Sequence, residues 1–284
     1  MARHPPVRAY ETLVVERRGP AGWLVFDRPS AGNAMDATML AELQPAWEEL
    51  DADPEVLVIV NTGAGSSFQT GLDMVQLARD PGALREQSRR TKRAELRLTA
   101  WHNRVAKPVI AAVNGVCAGG GLHFVADADV VIAASDAQFV DPHVSLGQVS
   151  AYEPIGLARK MPAEAVMRMA LVGRHERIDA ARALQLGMIS QVVDPPGRLR
   201  DEAQSLAEKI ARNSPAAMAA TKRALWQSFE AGLTDACRAG AAELVSMWGH
   251  PDQEEGPRAF ADKRDPIWQP PPPRPGQPPG VDRG

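Results

Sequence analysis

Three stretches of the chain, "EVLVIVNTG", "PVIAAVNG" and "DVVIAAS", are apolar at nearly every position, and each breaks off at a turn residue or a small polar one. A strand with one face in water alternates apolar and polar side chains, so runs as uniform as these belong to a sheet covered on both faces. Helix-forming segments separate them. Strands of this kind alternating with helices define an α/β layer structure. The 284 residues and 44% hydrophobic content suffice for the interior that such a sheet needs.

The other elements are read from caps, turns and periodicity. "YETLVVERRG" and "GWLVFDRP" read as two strands about a Gly/Pro turn, followed by an amphipathic helix from about Asp36, its N-cap, to Leu50. "AGSSFQTGLD" reads as a loop, and Pro81 to Val105 as a polar, Arg-rich helical region closed by Lys107-Pro108. A glycine loop and short helix at 119 to 128 lead into "DVVIAAS" and "AQFVD". Helical segments follow around 155 to 172 and 179 to 186, then the strand-like "GMISQVVD". Beyond Asp194-Pro195-Pro196 the chain turns helical throughout, until "PIWQPPPPRPGQPPGVDRG", which is too rich in Pro and Gly to pack. The expected division is a core over 1–196, a helical region over 197–265 and a disordered tail over 266–284.

Charge and cysteine content narrow the function. Lys+Arg 32 against Asp+Glu 35 gives a formal charge of -3, so no basic field favours nucleic acid, and the arginines at 85 to 97 read as a solvated helix face. Two cysteines, Cys117 and Cys237, form no CxxC pattern, which argues against a disulfide framework, and no metal site is expected. With neither a secretory leader nor a membrane-length apolar run in view, the expectation is a cytoplasmic protein with no membrane partner.

Strand, glycine loop and helix is also the arrangement that cradles phosphates. Here "GAGSSF" has Phe68 where a dinucleotide fold needs its last glycine, and "GVCAGGGL" has no lysine after its glycines. The same physics serves another anion. A helix start exposes unpaired N–H groups and a partial positive charge, and glycines let a ligand come close to them. Gly119 to Gly121 supplies one set of donors and the turn "FQTGLD" a second; one N–H from each would make an oxyanion hole.

The segments "VLVIVNTGAGSSFQTGLDM", "KPVIAAVNGVCAGGGLHFVADADVVIAASDAQFVDPHVSLG" and "EGPRAFADKRDP" resemble the enoyl-CoA hydratase/isomerase (crotonase) superfamily, from about Thr12 to Pro266. The resemblance implies a spiral of ββα turns with a helical C-terminal trimerisation region. It also implies an acyl-CoA thioester substrate whose carbonyl sits between two backbone amides, which on this chain are those of Leu72 and Gly120. Thr70 and the loop around Asn33 would lie near the coenzyme. Phe260 and Lys263 would reach its pantetheine and phosphate portions from a neighbouring subunit of a homotrimer or dimer of trimers. No separate cofactor is implied, because CoA enters with the substrate.

Hydratases of the superfamily carry one glutamate just after the glycine loop and another after the following strand pair. Here His123 and His143 stand at those positions. A lone histidine on an apolar face often bonds a carbonyl and nothing more, but replacement at both catalytic positions favours a function. A helix N-terminus and a desolvated pocket both disfavour imidazolium, which predicts a neutral His123 able to accept a proton. Glu153 offers a carboxylate to His143, its alternative use being a charge at a helix start before Pro154. Asp73 reads as a carboxylate tying down its own turn. Asp127, Asp129 and Asp141 read as structural, and Met218, Trp226 and Trp248 as core or subunit contacts.

Three functions are open at this point. The first is hydration or double-bond isomerisation of an enoyl-CoA with histidine in place of glutamate. The second is C–C bond hydrolysis of a cyclic or β-dicarbonyl substrate, as in the superfamily's retro-Claisen enzymes, with His143 and Glu153 activating water. The third is acyl-CoA binding without turnover. Lyase or isomerase chemistry stands first, and the rebuilding of both catalytic positions suggests a bulky or cyclic acyl group.

Overall fold

The computed structural model describes residues 9–82, 85–86, 89–90 and 96–270. A six-stranded sheet runs in the order β1 (Leu13–Arg18), β2 (Ala21–Phe26), β3 (Val58–Gly63), β5 (Val109–Val113), β7 (Val130–Ala134) and β10 (Gln191–Val193). It is antiparallel between β1 and β2 and parallel from there on. A four-stranded sheet holds β4 (Ser67–Gln69), β6 (Val116–Ala118), β8 (Gln138–Val140) and β9 (Ile178–Asp179), its first three strands parallel.

Each of β3, β5 and β7 passes at once into a short strand of the second sheet and then into a helix. These helices are α2 (Met74–Arg79), α3 (Leu122–Ala126) and α4 (Tyr152–Leu157), the last reached through a tight turn at His143–Leu146. This repeat is the ββα spiral. Before it, α1 (Ala37–Ala52) is capped as its sequence predicts, with the Met39 N–H donating to Asp36 Oδ1 at 2.8 Å. After it come α5 (Ala163–Val172), α6 (Ala180–Gln185), α7 (Leu199–Ile210), α8 (Pro215–Ser228), α9 (Leu233–Ser246) and α10 (Pro251–Ala261).

The large sheet is buried on both sides, which is why its strands show no alternation. Val58 and Val60 join Trp23, Val25, Ile110 and Ile132 against Leu199, Ala203 and Ala207, one stripe of α7 at fourfold spacing. Ile59 faces the other way, with Leu24, Phe26, Ala111 and Val113, into the core inside the spiral. Each of these fully buried branched side chains contributes roughly 1.5–3 kcal/mol.

The sequence reading needs three corrections. The stretch "AGSSFQTGLD" is not all loop: Ser67–Gln69 pairs with Val116–Ala118, a strand too short for a period-2 pattern to register. Helix does not continue to Val105. At Thr99 the side-chain oxygen accepts the His102 N–H, and Asn103 Nδ2 donates to the Arg97 and Thr99 carbonyls, so side chains take the place of a helical ladder. The helical segment expected at 155 to 172 is two helices, broken ahead of Pro162. The helical C-terminal region is present, and residues 271–284 of the Pro-rich tail lie outside the described residues. Among the described residues no helix is long and apolar enough to cross a membrane.

The last helices leave large apolar side chains uncovered. Leu233 is 82% exposed, Leu244 71%, Trp248 74% and Phe260 88%, and α9 contributes no buried residue at all. A solvated face of this composition calls for a partner surface. We therefore expect the trimer or dimer of trimers that the family resemblance implies. Light scattering at micromolar concentration should give about three or six times the chain mass, and a monomer there would contradict the assembly.

Candidate active site

The short strands deliver the site. Gln69 of β4 stands opposite Cys117 of β6, which stands opposite Phe139 of β8. Because the three strands are parallel, with one register shift between Ser67 and Gln69, the chain leaves each at the same edge, and the residues just beyond meet there. Leu72 follows β4, Gly120 follows β6 and His143 follows β8.

The first two bring their amides together. A Cβ on Gly71 would lie 2.9 Å from Gly120 N, and one on Gly120 would lie 3.9 Å from Leu72 N. Gly71 has φ +88°, a conformation that favours glycine. Its carbonyl accepts the Met35 N–H at 2.7 Å, and the Met35 carbonyl accepts the Asp73 N–H at 2.9 Å. The Leu72 N–H between them donates to no group among the described residues. Gly120 lies in the opening helical turn Gly119–Gly121, where an N–H has no acceptor within its own helix. Two unspent amides thus lie on adjoining loops.

Two imidazoles and a carboxylate form a cluster that reaches the glycine turn, where a Cβ on Gly119 would lie 3.6 Å from His143 Cε1. Glu153 Oε1 lies 3.2 Å from His123 Nε2 and 3.7 Å from His143 Nε2, with His123 and Glu153 each 6% exposed. Burial pushes the Glu153 carboxyl up. The hydrogen bond and charge of His123, then the charge of His143, overcome that and hold it down to about 2. Glu153 is therefore an anion between two rings, and His123 meets a carboxylate where its sequence neighbours suggest only an apolar wall.

Asp141 belongs to the site as well, against its structural reading. It is fully buried, with Oδ1 2.6 Å from His143 Nδ1 and 3.2 Å from the His143 backbone N, while Oδ2 accepts from the Ser150 hydroxyl. A carboxylate on Nδ1 fixes the ring's orientation and directs Nε2 toward Glu153. The signal was in the sequence as an aspartate two residues before the histidine. His102 gave no such signal. Its ring packs edge-on to His123 with centroids 5.6 Å apart, and its Nδ1 lies 2.7 Å from Thr99 Oγ1, which donates to Asp127 Oδ2 at 2.8 Å. Burial, with His123 and Arg97 nearby, holds His102 down to about 3, so it stands as a neutral ring behind a catalytic candidate. His102, His123 and Asp127 bring one donor atom each within 4.8 Å of one another, and they are the group among the described residues that could hold a metal ion. The Thr99 hydroxyl already bridges two of them.

Beside the amide pair runs a cleft of about 690 Å³, lined by Arg28, Ser30, Thr70, Leu72, Met74 and Arg79 among others. Thr70, expected near the coenzyme, lines this cleft. Asn33 is not a wall residue. It is fully buried, with φ +58°, and its side chain accepts from the Arg28 N–H and donates to the Ala64 and Ser67 carbonyls. It holds the loop; Ser30, Ala31 and Ala34 around it face the cleft. Asp73 caps α2 through the Gln76 N–H, as read, and also pairs with Arg28. Asp129 is structural, tying Val109, Lys222 and Trp226 together. Phe260 and Lys263, at the end of α10, do not line this cleft in their own chain.

A sequence model of the family described as enoyl-CoA hydratase/isomerase matches residues 22–271. The chain is 36% identical over 263 residues to a probable enoyl-CoA hydratase of Rhizobium meliloti (strain 1021), covering 90% of this chain and 97% of that one. It is 32% identical over 263 residues to the (E)-benzylidenesuccinyl-CoA hydratase of Thauera aromatica, covering 90% and 98%. The crystal structure of an enoyl-CoA hydratase/isomerase from Mycobacterium paratuberculosis superposes with a TM-score of 0.82 at 36% identity, covering 92% of this chain and 99% of that one. With this match and the ββα spiral, the chain belongs to the enoyl-CoA hydratase/isomerase family.

Proposed function

We propose that the chain is an acyl-CoA enzyme that forms a thioester enolate between the Leu72 and Gly120 amides and moves protons through His123, Glu153 and His143. The observation that carries this is Glu153, one ionised carboxylate within 3.7 Å of an Nε2 on each of two rings. An imidazole takes a proton from the acyl chain, the C–H electron pair moves into the thioester, and its oxygen becomes anionic where the amides point. Returning the proton to another carbon completes an isomerisation. Donors fixed in a site of low dielectric are worth more to the developing oxyanion than to the neutral carbonyl, which is what lowers the barrier.

The Asp141–His143 contact favours a second reading. A ring oriented by a carboxylate on Nδ1 is arranged to take a proton from water at Nε2. The hydroxide equivalent would attack a ketone of a β-dicarbonyl substrate, and the C–C bond would break with its electron pair passing to the enolate in the same hole.

For the coenzyme, Thr70 and the cleft beside it provide the wall, and Phe260 and Lys263 reach it from a neighbouring subunit. A bulky or ring-bearing acyl group fits the aromatic border of the site, where Tyr152 stands 6.2 Å from His123 and half exposed. The Thauera relative's name, (E)-benzylidenesuccinyl-CoA hydratase, supports the same class. Two free cysteines, Cys117 and Cys237, fit a cytoplasmic setting.

His123→Ala and His143→Ala should each lower kcat on the preferred acyl-CoA by ~10²-fold or more, the usual contribution of a positioned acid or base. Wild type should hydrate crotonyl-CoA poorly, and His123→Glu with His143→Glu should raise that activity by restoring two carboxylates. Efficient hydration by wild type, unaffected by either alanine, would place the acid and base elsewhere.

Glu153 also makes stability depend on pH. Its carboxyl sits at about 2 in the folded chain against an ordinary 4.5, so its ionisation stabilises the fold above pH 4.5 and that contribution is lost as pH falls from 4.5 toward 2. In thermal melts across this window the wild-type Tm should fall by roughly 5 °C more than that of Glu153→Gln. Parallel curves would mean that Glu153 is not held as an anion.

A further inference from the structure

Gln69 ends β4 directly beneath the two amides, and nothing in the proton machinery uses it. It is fully buried. Its Oε1 accepts the Gly71 N–H at 2.6 Å, while its Nε2 has no hydrogen-bond partner among the described residues. A buried amide with a stranded N–H₂ is costly, and a methionine of similar length would avoid that cost. What methionine would not supply is the acceptor for Gly71.

That acceptor completes a clamp on one residue, Gly71. The Gly71 N–H is held by Gln69 and the Gly71 C=O by the Met35 N–H at 2.7 Å, so both flanks of Gly71 are fixed. The Gly71–Leu72 peptide is planar and trans, so once its C=O is anchored on Met35, its N–H points the opposite way. That N–H is the Leu72 donor of the hole. The second loop rests on the same residue. A Cβ on Gly121 would fall 2.0 Å from the Gln69 carbonyl oxygen and 2.9 Å from Gln69 Oε1, so the Gly119–Gly121 turn lies in direct contact with Gln69.

We propose that Gln69 is a positioning residue that presets both donors of the oxyanion hole, orienting Leu72 through Gly71 and seating Gly120 through Gly121. The proposal rests on the reading that the Leu72 and Gly120 amides receive a thioester oxygen. Gln69 touches no reacting atom; its effect is on how strongly the bound carbonyl is polarised, and little on how tightly the coenzyme is held.

A conjugated thioester reports polarisation directly, because its absorption moves to longer wavelength as charge shifts onto the carbonyl oxygen. With 4-(dimethylamino)cinnamoyl-CoA as probe, wild type is expected to bind it with a red shift. Gln69→Met is expected to bind with a Kd within about threefold of wild type and to retain less than half of the shift, and Gln69→Glu, read near pH 5, to keep most of it. A full shift in Gln69→Met, or equal loss in both variants, would overturn the role of the acceptor. Binding by wild type without any shift would instead overturn the hole, and the proposal with it. Hydrogen exchange of the ligand-free wild type, resolved to single residues by mass spectrometry, needs no variant to fold. The Gly71 amide should be protected while those of Leu72 and Gly120 exchange at least tenfold faster, becoming protected when the probe binds. Equal exchange at Gly71 and Leu72 would refute the clamp.

Discussion

Parallel pairing of β4 with β6 and of β6 with β8 determines where the chain leaves the smaller sheet, and the candidate site is built from the residues that come next. Parallel strands release their chains at one edge, outside their carboxyl ends, which is where α/β folds gather ligands. The spiral repeats that exit three times, giving Leu72, Gly120 and His143 from segments far apart in sequence. The approach is close enough that side chains are excluded from it. Any Cβ at Gly121 would overlap the carbonyl of Gln69 at 2.0 Å, so Gly121 of "AGGGL" is a condition of the two loops touching at all.

Burial makes the chemistry beside the glycine turn unusual. A lone carboxylate as enclosed as Glu153 would be driven toward its neutral form, and desolvation is the largest influence acting on it. It stays ionised because His123 and His143 both present nitrogen to the same oxygen, and His143 is steadied from behind by Asp141. The cluster is thus mutually dependent: take away either ring and the carboxylate loses part of what keeps it charged. Behind His123, the neutral His102 and the Thr99–Asp127 bond add bulk and polarity without adding a competing cation.

The α/β layer class and the two loops of backbone donors were legible in local patterns, while the spiral and the Leu72 and Gly120 amides came only from the family resemblance. Uniform apolar runs mark strands covered on two faces, and glycines mark backbones that approach closely. The sequence also showed His123, His143 and Glu153 as candidates, though not that His123 is the nearer partner of the carboxylate. What stayed hidden depends on tertiary placement. Asn33 sits in the cleft's loop, but only the fold shows its amide committed to four backbone groups. His102 comes from a segment that reads as a solvated helix and reaches His123 only because Thr99 and Asn103 turn that segment back on itself. Gln69 lies in a strand of three residues, beneath the length at which alternation can speak.

Exchanging a pair of carboxylates for a pair of imidazoles changes what the site can store. Two close carboxylates repel, so such a pair shares a proton and divides acid from base between its members. Here two rings face two carboxylates, Glu153 and Asp141, and Glu153 is held as an anion between the rings. An enolate forming in the amide hole is a further negative charge a short distance away, so it favours the state in which the rings keep their protons. Proton abstraction and charge build-up on the thioester oxygen are therefore coupled through space: the ring that takes the substrate proton becomes the counter-charge of the anion it has just made. A site wired in this way favours steps that create and consume an enolate with the proton held nearby, which is the shared requirement of isomerisation and of retro-Claisen cleavage.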